Sequence, residues 1–211
     1  MIYSNDFIWL HFPKCAGTTI AYLFSRYFSS QKNLSQDPVG ARLDPTVAWH
    51  DSISERMKRD PKFKSDERVI IVPFRKLSSW IVSRYNFEVE RSPNLNHCAE
   101  LLLEGKFLEA NGKTGHADNY VKKYLPASLL HSSKIKFLRT EYFKSDFQRI
   151  FGQYLDISVI PEREFKKRRN SSANHVPGNV LKRLKNNKQL VYDSCPYWRS
   201  IEDIAYNQLN F

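Results

Sequence analysis

Three short apolar runs alternate with amphipathic segments along the 211-residue chain. The runs at residues 7–12, 69–72 and 135–138 are typical of buried strands. Beyond each run, apolar side chains recur at spacings of three and four residues, which predicts an amphipathic helix. Strands that alternate with helices in this way predict an α/β fold with a parallel central sheet.

The spacing of the apolar residues also predicts where the helices lie. The apolar faces of the first, second and last helices are formed by Ile20, Leu23, Phe24, Tyr27 and Phe28; by Leu77, Trp80, Ile81 and Tyr85; and, over about 196–209, by Tyr197, Ile201, Ile204, Ala205 and Leu209. Ser145 with Gln148 three residues later predicts a capping box that opens a helix running to about residue 155. A short helix is predicted over about 51–60, and the polar residues 31–46 are typical of a loop.

The length and composition are those of one folded domain spanning residues 1–211. Hydrophobic residues make up 41% of the chain, which is enough for a sizeable core without stabilising cross-links. Seven glycines and ten prolines exclude collagen-like and low-complexity chains. The three cysteines are too few and too scattered for a disulfide framework or a zinc site, which favours a reducing compartment.

The balance of charge indicates an anionic partner. Thirty-three Lys and Arg residues against 22 Asp and Glu give a net charge of +11, which suits nucleic acid, a membrane surface or a phosphorylated ligand. Residues 161–188 alone hold nine basic residues against two glutamates. The N-terminal residues lack a signal-peptide pattern, and no apolar run approaches the length of about 18 residues that a membrane span requires. We therefore expect a cytoplasmic protein without a membrane span.

The turn after the first predicted strand is the first candidate site. Residues 13–19, Pro-Lys-Cys-Ala-Gly-Thr-Thr, lie between that strand and the N-terminus of a helix. Backbone N–H groups and the positive end of the helix dipole make such a turn suited to an anion. Gly17 permits close approach of the backbone, and Lys14 adds a positive charge. The alternative is an ordinary strand-to-helix turn capped by a threonine.

Residues 11–19, which read His-Phe-Pro-Lys-Cys-Ala-Gly-Thr-Thr, resemble the phosphosulfate-binding loop of sulfotransferases that use 3′-phosphoadenosine 5′-phosphosulfate (PAPS). The form is closest to the carbohydrate-type enzymes, whose loop commonly reads His-x-Pro-Lys-Thr-(Gly/Ala)-Gly-Thr-Ser. The resemblance implies that this loop binds the 5′-phosphosulfate and that Lys14 also acts in catalysis. The implied ligands of the phosphosulfate are Lys14, Cys15, Ala16, Gly17, Thr18 and Thr19.

A second motif follows the strand predicted at residues 69–72. Arg75 precedes Ser83 by eight residues, as in the family's Arg-x-Pro-x-x-(Arg/Asp)-x-x-Ser, whose arginine and serine hold the 3′-phosphate. On their own, these two residues would be interpreted as a surface arginine and a helix serine. The sequence departs from the motif at Leu77, where the family usually has proline, and at Trp80, which also fits a core position.

A histidine between the two motifs is the candidate general base. Residues 48–52, Ala-Trp-His-Asp-Ser, resemble a Lys/Gly-His-x-(Ser/Thr) element found there in many bacterial and carbohydrate sulfotransferases. The resemblance implies that His50 takes the proton of the acceptor, a role that suits a side chain with a near-neutral pKa. A place at the start of a helix would favour its neutral form. The alternatives are a capping or structural role for His50, with His11 as the base.

Weaker similarities extend over the rest of the chain. Residues 137–143 resemble the family's strand that ends in an acidic residue, which gives Glu141 an orienting or structural role. Residues 170–172, Asn-Ser-Ser, resemble the Asn-x-Ser element that precedes the C-terminal helices. The basic residues 166–169 either close over the nucleotide or meet an acidic acceptor, or they form a solvated charged face.

The resemblance implies a P-loop-like, three-layer α/β fold with a central parallel sheet flanked by helices. It implies transfer of the sulfuryl group from PAPS to a hydroxyl of a glycan, a lipid-linked sugar or a small metabolite, with PAP as product. No metal and no nucleic acid are expected. One alternative is a P-loop-type small-molecule kinase, although Lys14 precedes Gly17 instead of following the glycines as in a Walker A motif. The others are a basic nucleic-acid-binding domain, for which no recognised motif is present, and an inactive family member.

Overall fold

The computed structural model describes residues 1–37, 48–65, 67–130, 132–167, 169 and 173–207. The chain divides into two compact units, each assembled from two stretches of sequence. Unit 1 comprises Met1–Phe74 and Ala127–Arg169, and unit 2 comprises Arg75–Pro126 and Asn170–Phe211. The single domain predicted over residues 1–211 stays a prediction.

The described residues form seven strands and ten α-helices. The strands are β1 (Ile2–Tyr3), β2 (Phe7–Trp9), β3 (Ser35–Gln36), β4 (Val69–Phe74), β5 (Lys106–Leu108), β6 (Thr114–His116) and β7 (Ile135–Arg139). The helices are α1 (Gly17–Tyr27), α2 (Ile53–Arg59), α3 (Leu77–Arg91), α4 (Ala117–Tyr124), α5 (Ala127–Leu130), α6 (Phe143–Phe151), α7 (Glu162–Lys166), α8 (Gly178–Asn186), α9 (Lys188–Ser194) and α10 (Pro196–Asn207). Within these ranges, no helix combines the length and the apolar character needed to cross a bilayer.

Unit 1 is built on a five-stranded sheet with the order β3-β1-β2-β4-β7. The strands β2, β4 and β7 are parallel, whereas β1 is antiparallel to both of its neighbours. The predicted α/β class, with a central and mostly parallel sheet flanked by helices, is confirmed. The two-residue strands β1 and β3 are not predicted by the sequence, because so short a run carries no hydrophobic period.

The strand β4 is two residues longer than its apolar run and includes Pro73. The Leu10 N–H donates to the Ile71 carbonyl at 2.9 Å, so the polar groups of Ile71 face β2. The Ile70 N–H donates to Lys134 on the opposite side. Because alternate residues of a parallel strand face alternate neighbours, Pro73 faces the β2 side, beyond the last residue of β2. The N–H that proline lacks therefore costs no bond to β7.

The helices α1 and α6 cover one face of the sheet. Aromatic side chains from both helices and from β2 form the centre of this core. The ring centroids of Phe7 and Phe151 are 5.4 Å apart, and those of Phe24 and Phe151 are 5.1 Å apart. Four residues of the predicted apolar face are buried, namely Ile20, Leu23, Phe24 and Phe28, whereas Tyr27 is half-buried.

The predicted capping box at Ser145 is wrong. A 3-10 turn over Thr140–Tyr142 leads directly into α6, which begins at Phe143. Ser145 therefore lies inside the first turn, and its hydroxyl donates to the Tyr142 carbonyl at 3.0 Å. The helix also ends earlier than predicted, at Phe151.

The capping box of the chain lies instead at the start of α2. The Ser52 Oγ accepts from the Glu55 N–H at 3.3 Å, and the Ser52 N–H donates to the Glu55 carboxylate at 2.9 Å. The short helix predicted over about 51–60 is observed at Ile53–Arg59, and His50 does not start it but ends a separate 3-10 turn. The carboxylate of Glu55 thus lies at the positive end of the α2 dipole. This dipole therefore gives no reason to expect a neutral His50.

Unit 2 packs its helices and the β5–β6 hairpin around two tryptophans. Trp80 of α3 and Trp198 of α10 are fully buried, with ring centroids 4.6 Å apart. The core position of Trp80 is confirmed. The buried face of α10 consists of Trp198, Ile201 and Ala205, which is rotated from the predicted face that included Tyr197. The predicted contribution of Leu209 falls outside the described residues.

Carboxylates from other helices cap two helix N-termini in unit 2. Glu202 accepts from the Leu77 N–H, the first of α3, at 2.9 Å. Asp118 accepts from the N–H groups of Tyr197 and Trp198 in the first turn of α10, at 3.0 and 2.7 Å. The departure from the family motif at Leu77 thus has a physical counterpart, because a proline there would have no N–H for Glu202.

A buried ion pair ties the end of β7 to α6. The Arg139 guanidinium donates two hydrogen bonds of 2.7 Å to the Asp146 carboxylate, and the Arg139 backbone N–H adds a third at 2.9 Å. Burial opposes ionisation of Asp146, but these hydrogen bonds prevail and lower its pKa. The carboxylate is consequently ionised at neutral pH in the folded protein.

Replacement of this carboxylate tests its contribution to stability. We expect Asp146→Asn to lower the free energy of unfolding at pH 7 by about 3–5 kcal/mol, because it removes the carboxylate from a buried ion pair. The folded-state pKa lies below the unfolded value of about 3.9, so the stabilisation is present above that pH and is lost as the pH falls. In urea denaturation, the difference in the free energy of unfolding between wild type and variant should become smaller below about pH 4. The exposed Asp203→Asn serves as control, and an equal effect of both variants would contradict the assignment.

Candidate functional site

The loop between β2 and α1 has an uncommon backbone conformation. Lys14 has a φ of 66° and Ala16 a φ of 61°, and both are in the left-handed region. This region costs a residue with a side chain roughly 1–2 kcal/mol. Cys15, which lies between these two residues, does not have a positive φ. Where left-handed residues alternate with such a residue, successive backbone N–H groups point toward one side, an arrangement suited to an anion. The loop thus maintains a strained backbone where the sequence predicts an anion site.

The N-terminus of α1 has no capping side chain. Its N-cap is Ala16, whose side chain makes no capping hydrogen bond, and the first turn contains no acidic residue. Thr18 and Thr19 are the second and third residues of the helix, so the alternative of a threonine-capped turn is wrong. Whereas α2 has the carboxylate of Glu55 at its N-terminus, α1 has neither a capping hydrogen bond from its N-cap side chain nor an acidic residue in its first turn.

Gly17, the first residue of α1, lies directly against the ring of His11. A Cβ at residue 17 would lie 1.7 Å from His11 Nε2 and 2.1 Å from its Cδ2. No side chain other than hydrogen fits there without displacing the imidazole. The glycine of the loop is therefore required by the packing of His11 as well as by any ligand that approaches the backbone.

His11 is enclosed by aromatic rings. Its side chain is only 8% exposed, and its ring centroid lies 5.3 Å from that of Trp9 and 4.6 Å from that of Trp49. Burial, and after it the neighbouring His50, holds the pKa of His11 well below its usual value. Its Nδ1 is buried and makes no hydrogen bond within the described part of the chain. His11 is thus a neutral, poorly solvated imidazole at physiological pH.

His50 stacks on His11 at the surface of the protein. The two rings are nearly parallel, at 20°, with centroids 4.2 Å apart. His50 itself is exposed. Its Nδ1 lies 3.3 Å from the His11 carbonyl oxygen, and because that oxygen only accepts, the Nδ1 is the protonated nitrogen of this hydrogen bond. In the neutral ring the basic lone pair then belongs to Nε2.

The other predicted ligands of the loop differ in exposure. Thr18 is exposed, whereas Lys14, Ala16 and Thr19 are half-buried. Cys15 is fully buried, so only its backbone can contribute to binding of a ligand. The sequence predicts these positions but gives no signal of the left-handed backbone.

The residues of the second motif belong to unit 2. Arg75 directly follows the last residue of β4, is half-buried, and forms no ion pair with the carboxylates of the described residues. Ser83 is half-buried and lies nearly two turns into α3. The guanidinium of Arg75 is thus not neutralised by an acidic side chain of the chain as described.

The basic run after α7 is partly neutralised within unit 1. Glu164 is buried and accepts from Lys167 at 2.6 Å and from Arg169. The Arg169 guanidinium also lies 4.0 Å from the ring centroid of Tyr22 on α1. Glu141 is exposed at the end of β7. Arg168 and the Asn-Ser-Ser element at 170–172 lie outside the described residues.

Comparison of the chain with protein-family models, with curated proteins and with solved structures finds no match. The chemistry of the site therefore depends on the properties of its own residues. Those residues bring together an uncapped helix N-terminus, a loop with two left-handed residues, and an exposed histidine held by a buried one. Over the described ranges, no group of three His, Cys, Asp or Glu side chains is arranged to hold a metal ion.

The contact between Gly17 and His11 can be tested by substitution. We expect Gly17→Ala to lower the free energy of unfolding by about 1–3 kcal/mol, because the added methyl group must displace a buried ring. Gly178→Ala is the matched control, since Gly178 also begins a helix and a Cβ added there would have no other atom within 4 Å. Thermal denaturation of both variants measures the difference. Equal melting temperatures would show that His11 does not pack against residue 17.

Proposed function

We propose that the protein is a PAPS-dependent sulfotransferase that transfers the sulfuryl group to a hydroxyl of a glycan, a lipid-linked sugar or a small metabolite. The observation that carries this proposal is the loop at residues 13–19, which opens an uncapped helix beside the exposed His50. An anion site next to a basic imidazole suits a reaction in which an anionic donor meets an acceptor that must lose a proton. The strand-loop-helix order supports the finer expectation of a P-loop-like, three-layer fold.

The 5′-phosphosulfate is the group we assign to the loop. The backbone N–H groups of residues 15–19 and the dipole of α1 offer positive potential without any acidic residue in the first turn. Lys14 adds a charge that stabilises the developing negative charge on the leaving phosphate. The preformed left-handed backbone supports this role, because a preorganised site needs no rearrangement during the reaction.

The 3′-phosphate is the group we assign to Arg75 and Ser83. A guanidinium binds phosphate through a planar fork of donors, and Arg75 has no ion pair to compete with it among the described carboxylates. Leu77 need not be proline for the helix to begin, since Glu202 caps α3 through the Leu77 N–H. This contact weakens the argument for an inactive family member.

His50 is the proposed general base, in preference to His11. His50 is exposed, whereas His11 is buried with a lowered pKa and so accepts a proton poorly. In the reaction, the acceptor oxygen forms a bond to sulfur while the bond from sulfur to the 5′-phosphate oxygen breaks. The proton of the acceptor hydroxyl passes to Nε2 of His50, and PAP leaves with the bonding electrons. The cysteines are thiols, which fits the cytoplasmic location that we expect.

Titration calorimetry with PAP tests the donor. We expect Arg75→Ala to weaken PAP binding by about 10- to 100-fold, as loss of a charge-assisted hydrogen bond predicts, and to leave 5′-AMP binding nearly unchanged. Arg199→Ala, at an exposed position of α10, is the matched control. Equal losses for both nucleotides would contradict the 3′-phosphate role.

The same titration separates the alternative functions. Tighter binding of ATP than of PAP would favour the small-molecule kinase. Salt-dependent binding of unrelated RNA without binding of PAP would favour the nucleic-acid-binding domain. Either result would overturn the sulfotransferase proposal.

Replacement of His50 tests the base. We expect His50→Ala and His50→Gln to lower kcat by about 10²–10⁴-fold, because neither side chain can take up the proton. The affinity for PAP should be unchanged in both variants. Turnover with an acceptor and calorimetry with PAP provide the two readouts. Loss of PAP binding in His50→Gln would show that His50 serves the nucleotide site instead.

A further inference from the structure

We propose that His11 is a positioning residue, whose carbonyl and buried ring hold His50 in the tautomer that has Nε2 as the proton acceptor. This assignment deepens the proposed function and rests on the role of His50 as general base. It replaces the alternative in which His11 is itself the base. The two residues are 39 positions apart in the sequence, so the interaction exists only in the folded chain.

The carbonyl of His11 selects the tautomer. The His50 Nδ1 is 3.3 Å from this oxygen, which has lone pairs and no proton to give. A hydrogen bond therefore requires the proton on Nδ1 and leaves the lone pair on Nε2. Free imidazole side chains favour the opposite form, with the proton on Nε2. The fold thus stabilises the less common tautomer, in which Nε2 can act as a base.

The ring of His11 fixes the plane of His50. The two rings stack at 20° with centroids 4.2 Å apart, so His50 cannot rotate about its side-chain bonds without losing the contact. His11 cannot move in response, because its ring lies against Gly17 on one side and against the edge of Trp49, with centroids 4.6 Å apart, on another.

The low basicity of His11 keeps the pair from carrying two charges. His11 is 8% exposed, and a second imidazolium stacked on the first would be strongly disfavoured. Two charged groups beside the pair, the Met1 ammonium and Asp51, already have partners of opposite charge. The Met1 ammonium bonds to Asp37, and Asp51, next to His50, pairs with Arg59. The proton taken up during the reaction therefore goes to His50.

The same ring connects the base to the anion loop. His11 touches Gly17, the first residue of α1, and stacks on His50. A change in the backbone of the loop that shifts Gly17 must also shift the ring on which His50 rests. The orientation of the base and the conformation of the loop are consequently set by one side chain.

Nitrogen-15 NMR of the full chain measures the tautomer directly, without substrate. We expect the wild-type His50 to carry its neutral-state proton on Nδ1. In His11→Leu the backbone carbonyl remains, but loss of the stacked ring lets His50 turn away from that carbonyl, so the form with the proton on Nε2 should become the major one. Phe28→Leu is the matched control, since it removes a buried ring whose contact is with Phe24 and not with His50, and it should leave the tautomer unchanged.

Two results would overturn the inference. One is a wild-type His50 protonated on Nε2, which needs no variant and so holds even if His11→Leu fails to fold. The other is an unchanged tautomer and an unchanged His50 titration curve in a folded His11→Leu protein. In turnover assays, His11→Leu should lower kcat and shift the pH profile of kcat. A variant that changes stability alone would leave that profile in place.

The outcomes also separate this inference from the proposed function. If the tautomer responds to His11 as expected but PAP does not bind, the sulfotransferase proposal fails and the positioning of His50 stands. If PAP binds and His50→Ala is inactive while the tautomer is independent of His11, the function stands and the positioning role fails.

Discussion

The contact between the His11 ring and the Cα of Gly17 is the constraint on which the candidate site depends. With a Cβ at residue 17 only 1.7 Å from Nε2, the first residue of α1 must be glycine for the imidazole to stay buried. The buried imidazole in turn stacks on the ring of His50. One neutral, closely packed aromatic side chain thereby holds together a strand, a loop and a surface turn.

Carboxylates lie at the N-termini of several helices, but the first turn of α1, like those of α8 and α9, contains no acidic residue. Glu55 serves α2, Glu202 serves α3 and Asp118 serves α10, so each of these helices receives negative charge from within the protein. The first turn of α1 has none. In a chain of net charge +11, a helix end without an acidic residue in its first turn favours an anion from solution at that point.

The sequence predicts those helices and strands that are long enough to show a regular spacing of hydrophobic residues. The strand-helix pairs around α1 and α3 follow from their apolar spacing, as does the core position of Trp80. The capping pattern at Ser145 misleads because a serine and a glutamine three residues apart occur as readily inside a first turn as at its start. In the candidate site, the resemblance of short motifs to a known family predicts the loop and His50. It cannot reveal the packing of His11 on Gly17, which depends on how the loop folds back on the strand.

The proline of β4 determines where the chain leaves the sheet. If the parallel ladder continued, the residue at position 73 would donate to the Leu10 carbonyl. Pro73 has no proton to offer, and that carbonyl instead accepts from the Phe12 N–H at 3.1 Å, a tight reversal within the departing chain. The imino acid therefore acts as a terminator of strand pairing. The pairing of β2 with β4 therefore ends at Leu10, one residue before His11. This end point determines how much of the chain can fold around the imidazole.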